Sequence, residues 1–219
     1  MAASHASLVC TLVSGGLDSA FLIHHLLGRR ARVLPLYVCC GLRWEAAEVS
    51  ALRRLMRAMA SPRLLPLRQA ELPLRSLYGA HWSLSGRVPS AGSPDAAVYL
   101  PGRNLFLLSA ASVVCAQAGA GAIALGTLAG NPFGDAAPGF FRRMSACLSQ
   151  ALDRPVRIET PLRRLAKAQL IRNAPRLRYD LTVSCLAPRG RLHCGRCNKC
   201  AERQAAFRDA QVPDPTRYA

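Results

Sequence analysis

Short, dense apolar runs alternate along the chain with longer stretches in which apolar residues recur every three or four positions. Residues 8–13 form the first run and predict a buried strand. Residues 20–28 follow as a helix that ends on glycine. Residues 31–40, rich in valine, leucine and tyrosine, predict a second strand. In 44–59 the residues Ala47, Ala51, Leu55 and Met59 share one side, with arginines between them, which predicts a helix. A short third strand over 63–67 comes next, then an apolar helix over 105–117 and a fourth strand over 122–127. A helix over 139–152, a fifth strand over 156–160 and a helix over 162–173 complete the alternation. This order predicts an α/β fold: a parallel five-stranded sheet with helices on both faces. Ligands of such sheets bind beyond the carboxyl ends of the strands, which places 14–19 and 39–44 at one mouth. Residues 69–99 break the pattern, being rich in Gly, Pro and Ser with Tyr78, Trp82 and Tyr99 among them. A segment of that kind is a functional lid or a flexible insertion.

Composition narrows the class. At 219 residues and 51% apolar, the chain is long enough for one sizeable core plus a small appendage. No apolar run is long enough to span a membrane, and the first residues lack a charged region followed by an apolar stretch. A cytoplasmic protein is expected, and nine cysteines in that setting read better as metal ligands than as disulfides. The formal charge of +17 is nearly all arginine, the only lysines being Lys167 and Lys199. A basic surface invites nucleic acid, but the arginines are scattered rather than gathered, and ATP or an anionic substrate would gain from the same field.

The candidate chemistry begins in the first turn, Ser14-Gly15-Gly16-Leu17-Asp18-Ser19. Strand, glycine turn and helix together present backbone N–H groups and a helix N-terminus to an anion. Gly15 and Gly16 let the backbone approach a phosphate closely, and Ser14 and Ser19 can donate hydroxyl hydrogen bonds to it. Asp18 makes sense beside a phosphate if it holds Mg²⁺ or caps the helix. The spacing and the lysine of a Walker A motif are absent. The pattern resembles the pyrophosphate (PP) loop of the ATP pyrophosphatase superfamily. Its members cleave ATP between the α and β phosphates, adenylate an oxygen and let a nucleophile displace AMP.

Cys185, Cys194, Cys197 and Cys200 form C-x8-C-x2-C-x2-C. Four thiolates at this spacing suit a closed, structural Zn²⁺ site; an Fe–S cluster and a redox disulfide are the rivals. Gly195 permits the tight turn, and His193 neighbours the set as an outer or surface residue. Cys10, Cys115 and Cys147 read as core, and packing suits at least one of Cys39 and Cys40. Arg103, next to a Pro-Gly turn at a helix start, reads by itself as a solvated arginine, though it is also placed to meet a phosphate or carboxylate. Lys167, early in the 162–173 helix, is either a point charge for phosphate or a surface lysine.

A nucleotide loop near one end and a four-cysteine knuckle near the other, joined by Pro101-Gly102-Arg103-Asn104, Thr160-Pro161-Leu162, Lys167-Ala168 and Ser184-Cys185, resemble the 7-cyano-7-deazaguanine synthase family (QueC). The resemblance runs from Leu8 to about Phe207. It implies a Rossmann-like, adenine nucleotide alpha hydrolase-like sheet, a PP-loop ATP-binding domain over 1–180 and a zinc-binding segment over 181–219. It implies ATP with Mg²⁺, a structural zinc and a homodimer. The implied reaction takes 7-carboxy-7-deazaguanine and ammonia to the nitrile, on the route to queuosine. Residues 14–19 would hold pyrophosphate, Arg103 and Lys167 would stabilise charge on the phosphates, and Asp18 would place Mg²⁺.

Two stretches depart from the family pattern. An Asp-Tyr-Gly-Gln run with a following histidine is replaced by Cys39-Cys40-Gly41-Leu42-Arg43-Trp44. In a Tyr-Pro-Asp-Cys-Arg-Pro-Glu-Phe run, Phe133, Asp135, Pro138 and Phe140 match, while Ala136, Ala137 and Gly139 stand where Cys, Arg and Glu are usual. Arg43, Phe133 and Asp135 are the substrate-pocket candidates. The activating half is kept and the substrate-reading half is changed. A divergent branch is therefore also expected: one that acts on another acid, stops at the amide, or joins a deazaguanine to a protein acceptor, as in QueC-like proteins of antiviral systems. A PP-loop enzyme that modifies tRNA is the remaining alternative.

Overall fold

The computed structural model describes residues 7–219. Strand β1 (Leu8–Leu12) leads into helix α1 (Leu17–Gly28), and β2 (Arg32–Cys39) into α2 (Glu45–Ala58). β3 (Arg68–Glu71) and the single turn α3 (Arg75–Tyr78) precede α4 (Arg103–Ala118). β4 (Ala122–Ala124), α5 (Pro138–Ala151), β5 (Arg157–Glu159), α6 (Lys167–Asn173) and α7 (Asn198–Ala210) follow. The sheet order is β3-β2-β1-β4-β5, with every neighbouring pair parallel. The chain builds outward from β1 to β3 and then returns to lay β4 against the other edge of β1. Crossovers therefore leave β1 and β4 in opposite directions, which opens a crevice at their carboxyl ends.

Side chains alternate across the strands, so adjacent residues feed different cores. Cys10, Leu34, Leu36 and Ile123 pack with Leu108, Ala111, Phe141 and Met144 of α4 and α5. Val9, Val33, Ala122 and Ala124 pack with Phe21 and Leu22 of α1, Leu170 of α6 and Phe207 of α7. Both faces are covered, as the strand–helix alternation predicts. Among the described residues no helix is long and apolar enough to cross a membrane.

Four expectations are corrected. The third strand lies at Arg68–Glu71, not over 63–67. Leu64 makes only an isolated bridge with Val33, and the ladder resumes with Leu36 opposite Arg68. Pro35 and Pro66 lie in that gap, and neither has an N–H to give the ladder. Helix α6 starts at Lys167 rather than at residue 162, because a turn in which Leu165 N–H donates to Leu162 O precedes it. Cys147 is exposed, whereas Cys10 and Cys115 are buried as expected. Helix α7 forms where the hydrophobic pattern marks no helix. Its buried residues include Asn198, Cys200 and Arg203, so no apolar stripe announces it.

Candidate active site

The β1–α1 turn holds a backbone that only glycine suits. Gly15 has φ +78°, and a Cβ there would lie 2.9 Å from the carbonyl oxygen of Glu48. Gly16 sits at the N-cap of α1. Ser19 Oγ accepts from Ser14 N–H at 2.9 Å, and the two hydroxyls lie 3.2 Å apart. From the far end of the chain, Val183 N–H donates to Gly15 O at 2.9 Å and ties the turn to the segment before the cysteines.

Above this turn is a cavity of about 510 Å³. Ser14, Gly16, Leu17, Asp18, Arg103, Phe133, Asp135 and Lys167 all line it. Gly15 and Ser19 brace the turn from behind and are not on that wall. Arg43 is not on it either: its side chain is exposed and donates to Gly86 O, while its neighbour Trp44 faces the cavity.

A line of charges crosses the cavity. Lys167 Nζ lies 3.4 Å from Asp18 Oδ2 and also contacts Glu202, whose other oxygen accepts from Lys199 Nζ at 2.6 Å. Burial pushes the Asp18 carboxyl upward, and Lys167 only partly opposes this. Burial works against the Lys167 ammonium as well, but Asp18 and Glu202 outweigh it and hold the proton more tightly than usual. Burial would also raise Glu202, yet the two lysines bring it down to about 2. Two buried polar atoms on this wall have no partner, Asp18 Oδ1 and Arg103 Nε.

Asp135 holds the far wall in place. Its Oδ2 accepts from Asn104 N–H in the first turn of α4 at 2.9 Å, and its carbonyl accepts from the Asn104 amide at 3.0 Å. That pins the Phe133 loop beside Arg103. Phe133 stacks on Tyr99, with ring centroids 5.0 Å apart and planes at 26°.

The sequence pattern passes over Glu48 and Glu202; it brings Trp44 to the mouth only as the end of 39–44, notes Tyr99 only as an aromatic of the irregular segment, and reads Lys199 only as part of the cysteine segment. Glu48 is buried on α2 and accepts from the Tyr37 hydroxyl at 2.6 Å. Burial pushes its carboxyl up to about 7, against the pull of Arg103 and the Tyr37 hydroxyl. A carboxylate in the same stripe as Ala51, Leu52 and Leu55 is the one sign of it in the sequence. For Glu202 the sign is an acid set among cations two residues past Cys200.

All four candidate metal ligands converge. The Sγ atoms of Cys185, Cys194, Cys197 and Cys200 lie within 4.8 Å of one another, and all four residues are buried. Tetrahedral thiolates at ~2.3 Å from an ion stand about 3.8 Å apart, and Cys194 and Cys200 are 4.0 Å apart. Backbone N–H groups of Ala187 and Cys194 point at Cys185 Sγ from 3.3 and 3.2 Å. This donor set can hold a metal ion. His193 is buried rather than at the surface, and its Nε2 accepts from Ser184 N–H at 3.1 Å. Burial pushes that imidazole down to about 4. Cys185, Leu186 and Lys199 also line the cavity, so the cluster and the glycine turn share a wall.

Comparison with known proteins gives one consistent answer. The family model described as "Queuosine biosynthesis protein QueC" matches residues 8–211. Proteins named 7-cyano-7-deazaguanine synthase from Xanthomonas oryzae pv. oryzae (strain PXO99A) and Xanthomonas campestris pv. campestris (strain B100) are each 35% identical, over 95% of this chain and 96% of theirs. Among solved structures, a 4-thiouridine synthetase–RNA complex with bound ATP aligns with a TM-score of 0.53 and 17% identity. That alignment covers 97% of this chain and 47% of the other, and it shows a shared fold.

Proposed function

The chain belongs to the QueC family, and on that premise we propose that it is an ATP-dependent C–N ligase that converts 7-carboxy-7-deazaguanine and ammonia to 7-cyano-7-deazaguanine. The observation that carries this reading is the pair of unpartnered buried groups in one cavity, Asp18 Oδ1 and Arg103 Nε. A buried polar group without a partner costs about 1–3 kcal/mol, so two of them on residues that line one cavity point to a ligand that completes the bonding. A phosphate oxygen suits Arg103, and a hydrated Mg²⁺ suits Asp18.

In this reading the turn at 14–19 holds the pyrophosphate of ATP through its cavity-lining residues Ser14, Gly16, Leu17 and Asp18, with Ser19 bracing the turn from behind. Lys167 and Arg103 stabilise the negative charge that leaves with it, and Glu202 holds Lys167 and Lys199 in position. The substrate carboxylate attacks the α-phosphorus, and ammonia then displaces AMP to give the amide. The amide oxygen is activated by a second ATP and lost as AMP. Mg²⁺ would neutralise phosphate charge, and the residue placed to hold it is Asp18.

We assign the four cysteines to a structural Zn²⁺, supported by a donor set of four thiolates with every position filled. Residues 1–180 then form the ATP-binding domain and 181–219 the zinc-binding segment; the first six residues lie outside the described structure. A homodimer is supported by α4, whose outer side exposes Leu105 (43%) and Val113 (48%). ATP as substrate and a reduced thiolate site fit a cytoplasmic setting.

A second reading, in which the same activation serves another acceptor such as a protein end or stops at the amide, is favoured by Trp44. The residue that replaces the family's histidine stands on the cavity wall. The test is mass spectrometry of products after incubation with ATP, Mg²⁺, ammonium and 7-carboxy-7-deazaguanine. AMP together with the nitrile is the expected result. An amide alone, or a mass added to a protein, would replace it with the second reading. The absence of AMP would overturn both.

A further inference from the structure

Of the cavity's carboxylates that the phosphate chemistry does not use, Asp95 is exposed and Asp135 is tied to Asn104, which leaves Glu48 as the buried one. Asp18 and Glu202 at the phosphate end are paired with Lys167, whereas Glu48 is paired with a tyrosine hydroxyl. Its surroundings differ from those of Asp18. Arg103, Tyr37, Glu45 and Trp44 act on it, whereas Lys167, Glu202 and Lys199 act on Asp18. The Tyr37 hydroxyl takes Oε2 at 2.6 Å and fixes the plane of the group. A carboxylate has about four lone-pair sites, so capacity remains for donors that arrive from the cavity. The same cavity carries flat apolar surface in Trp44 and in the stacked rings of Tyr99 and Phe133. A rigid acceptor beside flat rings is complementary to a planar heterocycle with two adjacent N–H donors. Guanine-type rings have such an edge, in the ring N1–H and the exocyclic 2-amino group. The adenine of ATP does not, because its N1 is an acceptor.

We propose that Glu48 is the specificity-determining residue of the acceptor site, accepting the N1–H and 2-amino hydrogens of a guanine-type ring, with Tyr37 as the positioning residue that holds its carboxylate. The assignment rests on the deazaguanine reading above and names the contact by which this chain selects that ring over adenine.

Calorimetric binding of 7-carboxy-7-deazaguanine and of its analogue lacking only the 2-amino group tests it, in the wild type, E48Q and Y37F. The wild type favours the amino compound by roughly tenfold to a hundredfold, the worth of a hydrogen bond to a charged group. In E48Q the preference falls to about threefold or less, because the side-chain amide turns a donor toward the ring. Affinity for ATP stays at the wild-type value and shows that the variant is folded. Y37F keeps the charge and loses part of the preference. An unchanged preference in E48Q overturns the role of Glu48 and leaves the deazaguanine reading intact. A wild type that binds both compounds equally overturns it whatever the variants do. A wild type that binds neither overturns the deazaguanine reading and this assignment with it.

Discussion

Arg203 and Arg103 are both arginines with buried guanidinium atoms, and the fold treats them in opposite ways. Arg203 is 1% exposed and almost fully engaged. Its Nε donates to Thr216 Oγ1 at 2.6 Å, Nη1 to Thr182 Oγ1 at 2.9 Å and Nη2 to Tyr179 O at 2.8 Å. Its guanidinium lies over the Phe207 ring, 5.3 Å from the centroid, and Asp214 stands 3.9 Å away. Arg103 leaves Nε buried and unpaired beside a cavity. The first arginine fastens the last residues of the chain to 179–184, and through Val183 to the turn at Gly15. The second is held ready for an anion. A buried charge whose bonds are all made belongs to the scaffold, and one left short of partners at a cavity belongs to the site.

That contrast breaks most visibly at Arg203. Arg203→Met should lower unfolding stability by about 3–5 kcal/mol, since it removes three charge-assisted hydrogen bonds, to Thr216, Thr182 and Tyr179, and the contact with the Phe207 ring, and urea denaturation reads this directly. Arg103→Met should stay within about 1 kcal/mol of wild type in the same experiment, because the guanidinium makes no hydrogen bond or ion pair among the described residues and Glu48 can take up a proton when its pull is lost. Equal losses from the two would erase the distinction.

Asp18→Asn should have the opposite profile to Arg203→Met. AMP formation falls roughly a hundredfold to a thousandfold, while the melting temperature holds or rises because burial already disfavours the carboxylate. Near-wild-type turnover by this variant would remove Asp18 from the chemistry.

The smallest expected effect is a pH slope from Glu48. Its carboxyl is raised from 4.5 to about 7 in the folded chain. Between those values the unfolded chain has lost the proton and the folded one has kept it. Stability therefore declines as pH rises from about 4.5 to about 7, by on the order of 1–3 kcal/mol, and this contribution is level outside that window. Denaturant melts across the range should show the slope in the wild type and a shallower one in Glu48→Gln.

Much of the fold is legible in the chain. Strands β1, β2 and β4 are dense apolar runs, β5 alternates apolar and charged residues, α2 and α5 carry a clear helical period and α4 is a long apolar run, so their existence follows from pattern alone. The third strand does not, because Pro35 and Pro66 interrupt its ladder and β3 is mostly polar at the sheet edge. Helix α7 escapes because it buries a zinc-ligand candidate and an arginine where a stripe of leucine would be expected.

By itself the sequence determined the glycine turn at 14–19 and the four-cysteine set. Each is a short stretch with its own local demand: a backbone that must bend without a Cβ, or thiols close enough along the chain to share one ion. Only the tertiary structure decided that Lys167, Lys199 and Glu202 meet Asp18, and that Glu48 rather than Arg43 enters the same cavity. Those side chains come from segments far apart in the chain, and the crossovers that bring them together also bury them in part. Burial then decides what each group is, and it acts only on a folded chain: it moves the Glu48 carboxyl toward neutral pH, while the lysines it gathers around Glu202 hold that one ionised.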